Sequence, residues 1–246
     1  MEKITKFLVK IVKKASLLVN SKMQIRAKGS EGDLVTNFDY AIEKFLIGKI
    51  KKKFPDFDIV SEEFNSDNKA SQNCFIIDPI DGTINFAHKL PFWGIQVACQ
   101  KDGEMISAVI YIPELKRMYY ADEKGAFLNG KKIKVSSLPL KNSLYAVEGK
   151  DRKLVIDKMV KYENNLRIIY SCALYYPFIA EGLLGGMLFR KDTPWDYAPG
   201  MYIVKQAGGY VYSKGSVHIA GNTKEMLNKL KKISNEIDKE KKALLQ

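Results

Sequence analysis

The 246 residues are enough for one large domain or two small ones packed together, and a composition 46% hydrophobic and 28% charged is that of a soluble globular protein. No apolar run reaches bilayer-crossing length, and the start, Met1-Glu2-Lys3-Ile4-Thr5-Lys6, is amphipathic without the apolar core of a signal peptide, so a cytoplasmic protein without a membrane span is expected. The formal net charge of +12 admits nucleic acid, an anionic surface or phosphorylated small molecules as partners. It is spread over clusters such as Lys49, Lys51, Lys52 and Lys53 without a recognised binding module, which argues against nucleic acid.

Ile4, Phe7, Leu8, Ile11, Val12, Ala15, Leu18 and Val19 recur at helical spacing and predict an amphipathic helix over the first twenty or so residues. A polar loop beginning at Lys28 runs through Asp33-Leu34-Val35 into Thr36 or Asn37 as a helix cap. Phe38, Ala41, Ile42, Phe45, Leu46 and Ile50 mark the buried face of a second helix ending near Phe54-Pro55. Asp39 falls in its first turn, where a lone carboxylate is often only a dipole partner. Phe57 to Val60 reads as a short strand that ends on Ser61-Glu62-Glu63. After an apolar strand at Cys74 to Ile77, Trp93 to Gln100 and Met105 to Ile112 form a hairpin around Lys101-Asp102-Gly103-Glu104. Arg117 to Ala121, Ala126 to Leu128 and, past an Asn129-Gly130 turn, Ile133 to Val135 continue it, so the first half is two helices on a largely antiparallel sheet.

Beyond a strand at Ser143 to Val147 the elements alternate. A helix near Lys153 to Tyr162, a strand at Arg167 to Tyr170, a helix from Cys172 to Leu184 that Pro177 kinks or shortens, and a strand at Met187 to Phe189 follow. A helix from Trp195 to Ala207 stops at Gly208-Gly209, and a last helix runs from Thr223 to Leu245. This predicts a second α/β layer set, with the parts 1–138 and 139–246 meeting near Ser136 to Lys141 in one compact unit. Cys74, Cys99 and Cys172 read as reduced core residues, and isolated His88 and His218 with no C-x-x-C argue against zinc.

The chemistry concentrates in Asp78-Pro79-Ile80-Asp81-Gly82-Thr83. Pro79 turns the backbone sharply, so both carboxylates can converge on one or two hard cations, while Gly82 allows close approach and the N–H groups of Gly82 and Thr83 face an anion. Taken alone, the string fits a capped turn equally well, with Asp81 as an Asx cap and Gly82 left-handed. Two residues between the carboxylates, where aspartyl phosphatases have D-x-D-G-T, argue against a phospho-aspartate. Glu62 and Glu63 at a neighbouring strand end could add a ligand and a base for water.

Asp33-Leu34-Val35-Thr36-Asn37-Phe38-Asp39, Ser61-Glu62-Glu63, Asp78 to Phe86, Trp195-Asp196-Tyr197-Ala198-Pro199-Gly200 and Gln206-Ala207-Gly208-Gly209 resemble, in order and spacing, the motifs of the inositol monophosphatase family. The resemblance implies a five-layered αβαβα sandwich and a magnesium-dependent, lithium-sensitive phosphomonoesterase, typically dimeric, that acts on small phosphorylated metabolites by direct attack of water. It implies Glu62, Asp78 and the Ile80 carbonyl as ligands of one Mg²⁺, Asp78, Asp81 and Asp196 as ligands of a second, and a weaker third near Glu62. Asp39 and Thr83 match the pair that helps activate the water, with Glu62, and Asp81, Gly82, Thr83 and Asp196 would meet the substrate.

The departures lie at the substrate end. Phe189 stands where inositol-specific relatives have a Glu, Arg190 follows it, and Tyr170-Ser171-Cys172 replaces a Gly-Ser/Thr-Ala segment. Arg190 either meets a second phosphate, as in relatives acting on fructose 1,6-bisphosphate, NADP or a 3′,5′-bisphosphonucleotide, or is a strand-end surface residue. An inositol monophosphatase-type activity is expected, with those bisphosphate activities and a transcription accessory role at RNA polymerase as alternatives.

Overall fold

The computed structural model describes residues 1–19, 23–27, 34–162 and 165–244; the first part of the polar loop, Lys28 to Asp33, and the end of the last helix at Leu245 lie outside them. Helix α1 (Lys3–Ala15) runs into a short 3₁₀ turn at Ser16–Leu18. A small antiparallel pair, β1 (Ile25–Ala27) and β2 (Leu34–Thr36), leads to α2 (Asn37–Lys53). Thr36 is the N-cap: its hydroxyl accepts from Phe38 N–H, and Asp39 reaches back to accept from Thr36 N–H.

A seven-stranded sheet follows, from β3 (Asp58–Ser61), β4 (Cys74–Asp81), β5 (Gly94–Lys101), β6 (Glu104–Ile112), β7 (Arg117–Asp122), β8 (Gly125–Leu128) and β9 (Lys131–Lys132), in that order; only β3 and β4 pair in parallel. The hairpin turn at Asp102-Gly103 and the turn at Asn129-Gly130 both take positive φ, the geometry that matches strand twist. The short helix α3 (Thr83–Ala87) leaves the end of β4.

The second sheet is built from β10 (Tyr145–Gly149), β11 (Leu166–Arg167), β12 (Gly186–Arg190), β13 (Tyr210–Lys214) and β14 (Val217–Gly221). Its order is β11-β10-β12-β14-β13, with β11, β10 and β12 parallel and the rest antiparallel. Four helices accompany it: α4 (Arg152–Tyr162), α5 (Cys172–Ala180), α6 (Pro194–Gln206) and α7 (Lys224–Leu244). Helices α1 and α2 cover the outer face of the large sheet, α5 and α6 lie between the sheets, and α4 and α7 cover the outer face of the small one. That is the five-layered αβαβα sandwich, and its three apolar cores coincide with the three helical layers. Among the described residues no helix is long and apolar enough to cross a membrane.

Four expectations shift. The chain from Ile133 to Val135 leaves the sheet edge, and Val135 N–H bonds the carbonyl of Ala207 at the end of α6. The strand expected to reach Tyr170 stops at Arg167, because the Ile169 and Tyr170 N–H groups turn to the Tyr175 hydroxyl and Tyr170 takes φ 58°. Helix α5 ends at Ala180, within a turn of Pro177, and Gly182 then turns left-handed. Strands β1, β2, β13 and β14 were not expected: β1 and β2 are three residues each, the second lying where the sequence reads as loop, and β13 is a half-exposed edge strand whose mixed residues mask a two-residue period.

Candidate active site

Strand β4 is buried along its whole length. Cys74 and Ile76 face the layer between the sheets, and Phe75 and Ile77 face α1 and α2. Strict alternation would then send Asp78 inward and Asp81 outward. The register prevents this: Asp78 pairs with Gln96 and Asp81 with Gly94, so two residues of β4, Pro79 and Ile80, oppose one of β5. This β-bulge, at a proline that has no N–H for the ladder, restores Asp81 to the inner side. There its Oδ2 accepts from Ser171 Oγ and Ala173 N–H at the start of α5, an end of the helix that favours a negative charge. Gly82 follows with φ 88°, and a Cβ there would lie 2.7 Å from the Phe92 carbonyl oxygen.

Asp196 comes from the first turn of α6, where its Oδ2 accepts from Thr193 Oγ1 and lies 3.5 Å from Lys191 Nζ. One ligand atom each from Asp78, Asp81 and Asp196 falls within 4.8 Å of the others. Asp78 is fully buried and neither of its carboxylate oxygens has a hydrogen-bond partner among the described residues. Burial first, then the charges of Glu62, Asp81 and Asp196, push its pKa far above the usual carboxylate range. Burial and the Asp196 charge push Asp81 up to about 7 against the hydrogen bonds from Ser171 and α5. Three carboxylates so close, one with both oxygens unpartnered, repel one another unless a cation joins them. The all-oxygen, anionic donor set suits a hard divalent cation.

A cavity of about 150 Å³ opens over this trio and brings together Glu62, Asp78, Ile80, Asp81, Gly82, Thr83 and Asp196. Asp39 sits beneath it, fully buried; its Oδ2 takes the Thr36 N–H and hydroxyl, and its Oδ1 lies 3.5 Å from Thr83 Oγ1. The Thr83 hydroxyl is nearer the Ile80 carbonyl, at 2.9 Å, and has one proton to give. Burial raises Asp39 to about 6, against the bonds from Thr36. One Asp39 oxygen thus serves the cap of α2 and the other faces Thr83.

Arg190 does not join the site. On β12 the side chains alternate, so Phe189 and the following Lys191 line the cavity while Arg190 turns to the outer face. There it is buried, with Nη2 2.5 Å from Asp238 and 3.4 Å from Asp151 and Nη1 donating to Ser234 on α7. Neither a second phosphate in this cavity nor open surface is its place. Lys191 and Glu148, which also lines the cavity, went unremarked in the sequence. Strand parity from Phe189 was the signal for Lys191; nothing in the sequence marked Glu148.

The chain matches the inositol monophosphatase family over residues 1–240. It is 37% identical to the fructose-1,6-bisphosphatase/inositol-1-monophosphatase of Thermotoga maritima over 186 residues, which span 73% of this chain and 71% of that protein. It is 32% identical to the Nus factor SuhB of Escherichia coli strain K12 over 198 residues, 75% of this chain and 73% of the relative. The solved structure of a Thermotoga maritima IMPase superposes with a TM-score of 0.82 at 30% identity, covering 95% of this chain and 97% of that one. Metal dependence in that family agrees with the carboxylate cluster at the end of β4, and the chain belongs to the inositol monophosphatase family of phosphatases.

Proposed function

We propose that the protein hydrolyses phosphate monoesters of small metabolites with Mg²⁺, water attacking phosphorus directly. The observation that carries this is the bulge on β4, which turns Asp78 and Asp81 to one side, against Asp196. Asp78, Asp81, Asp196, Glu62 and the Ile80 carbonyl would hold two or three ions. Bound there, the cations would acidify the attacking water and neutralise charge on the phosphate and the leaving oxygen. Asp39, its pKa raised towards neutrality, would take the proton of the water through Thr83 Oγ1. The Gly82 and Thr83 N–H groups would hold the phosphate in line, and the P–O ester bond would break as the leaving oxygen takes a proton from solvent water.

For the rest of the substrate, Phe189 supplies no hydroxyl acceptor, and Lys191 presents a cation. Burial works against its charge, yet Asp196 and Glu62 hold its pKa above the ordinary lysine value. A sugar bisphosphate therefore fits at least as well as inositol 1-phosphate, in line with the double name of the Thermotoga relative. Lithium sensitivity, a homodimer and a cytoplasmic location belong to the same reading. The likeness to SuhB supports a second role, as a transcription accessory.

Phosphate release should be measured with Mg²⁺ or EDTA on inositol 1-phosphate, fructose 1,6-bisphosphate, NADP and a 3′,5′-bisphosphonucleotide, with Asp81→Asn as control. Metal-dependent turnover lost in the variant is expected. No turnover of any of them by folded, metal-loaded protein would overturn the reading. A transcription phenotype that survives Asp81→Asn would favour the second role.

A further inference from the structure

Helix α2 carries a second buried carboxylate one turn beyond Asp39. Glu43 is fully buried on the face that α2 turns to the sheet. Its Oε1 accepts from Ser61 Oγ and, at 2.9 Å, from Phe64 N–H; its Oε2 accepts from Glu63 N–H at 2.9 Å. The turn closes on itself through Ser61 N–H to the Asn65 carbonyl and Asn65 Nδ2 to Ser61 Oγ. The residue between these anchors is Glu62, whose side chain lines the cavity against Asp78.

Before any cation binds, the neighbouring carboxylates crowd Glu62 while the Lys191 ammonium attracts it, and nothing covalent keeps the turn after β3 from swinging its carboxylate into solvent. Against that stand the three hydrogen bonds that the turn makes to one oxygen pair in a rigid helix. Such bonds to a buried, charged acceptor are stronger than neutral ones, and losing the acceptor strands two N–H groups. Outer partners of a metal ligand fix its orientation in the same way.

We propose that Glu43 is a positioning residue that holds Glu62 in the cavity, so that the metal site is formed before metal arrives. The inference rests on Glu62 being a metal ligand. An amide in place of the carboxylate has one acceptor oxygen and would turn an NH₂ towards an N–H or hydroxyl donor, so Glu43→Gln cannot keep all three bonds.

The test is calorimetric titration of Mg²⁺ into the substrate-free protein, for wild type, Glu43→Gln, Ser61→Ala, Glu62→Gln and, as a stability control, Leu46→Ala from the core face of α2. Glu43→Gln should weaken Mg²⁺ binding roughly 10- to 100-fold and Ser61→Ala less, with Leu46→Ala unchanged. In turnover, raising Mg²⁺ should return kcat of Glu43→Gln to within about threefold of wild type, with the substrate KM unchanged, which a merely structural defect would not allow. Unaltered Mg²⁺ affinity in both Glu43→Gln and Ser61→Ala, with Glu62→Gln weakened, would overturn the proposal alone. Unaltered affinity in Glu62→Gln would overturn it together with the metal reading of Glu62. Should Glu43→Gln not fold, Ser61→Ala decides: a metal affinity equal to wild type overturns the proposal, and a weakened one supports it.

Discussion

Helices α1 and α2 lie side by side on one face of the same sheet, yet their buried faces differ. That of α1 is Leu8, Ile11, Val12 and Ala15 with Thr5, whose hydroxyl meets Ser107 Oγ at 2.9 Å. That of α2 has Phe38, Ile42, Leu46 and Ile50, but also Asp39 and Glu43, one turn apart and both inaccessible to solvent. A buried carboxylate opposes folding unless something accepts its charge. Asp39 and Glu43 are each hydrogen-bonded to segments that carry residues of the cavity, so α2 gives up apolar burial for polar contacts around the candidate site. Helix α1 makes no such exchange.

The contrast is broken most sharply by substitutions that separate activity from stability. Asp39→Asn keeps an oxygen for the Thr36 cap but cannot take a proton, so kcat should fall about 10²- to 10⁴-fold with little change in Tm. Leu8→Ala on α1 should do the reverse: a loss of about 2–5 kcal/mol in denaturant unfolding, with kcat unchanged below the new transition. A fall in kcat for Leu8→Ala, measured well below its Tm, would show that the two helices are not functionally distinct.

A smaller effect comes from pH. Asp39 and Asp81, at about 6 and about 7, hold their protons to a higher pH in the folded, metal-free protein than the ordinary carboxylate value of 3.8 found in the unfolded chain. Ionising them as pH rises through that window therefore lowers stability. His218, pushed down to about 4 by burial, acts oppositely as pH falls below 6.5, so the Tm of the metal-free protein alone is a blunt readout. The Mg²⁺-induced rise in Tm isolates the carboxylates, because metal needs them ionised. It should be larger at pH 7.5 than at pH 5, in wild type and Leu8→Ala alike, and equal rises at both pH values would contradict the assignment. Smallest of all, Thr5→Val should cost about 1–2 kcal/mol by stranding the Ser107 hydroxyl, and Thr5→Val with Ser107→Ala should recover most of it in chemical denaturation.

The apolar period made α1 and α2 legible in the sequence, the Asp-Gly and Asn-Gly pairs gave the turns of the large sheet, and the co-ordered motifs gave the layered fold. The carboxylates of the site were legible as residues, but not the geometry that brings them together. The spacing of Asp78 and Asp81 does not say whether Pro79-Ile80 makes a plain turn or a bulge, because that is set by pairing with Gln96 and Gly94 on another strand. Arg190 was misplaced for a related reason: charge drew attention to it, while strand parity aimed Lys191 at the cavity. Glu43 was hidden because an acid within a helical pattern reads as solvent-facing, and its donors lie some twenty residues further on.

The bulge at Pro79-Ile80 has a meaning beyond its geometry. Along β4 the inward or outward sense of every side chain is a matter of counting, and one additional residue changes odd to even. The chemistry of the cavity thus depends on an arithmetic property of the backbone as much as on the identity of any acid. A sandwich of the same layers, with the same two residues between Asp78 and Asp81 but paired to β5 without the bulge, would keep its cores and direct the second acid into oil.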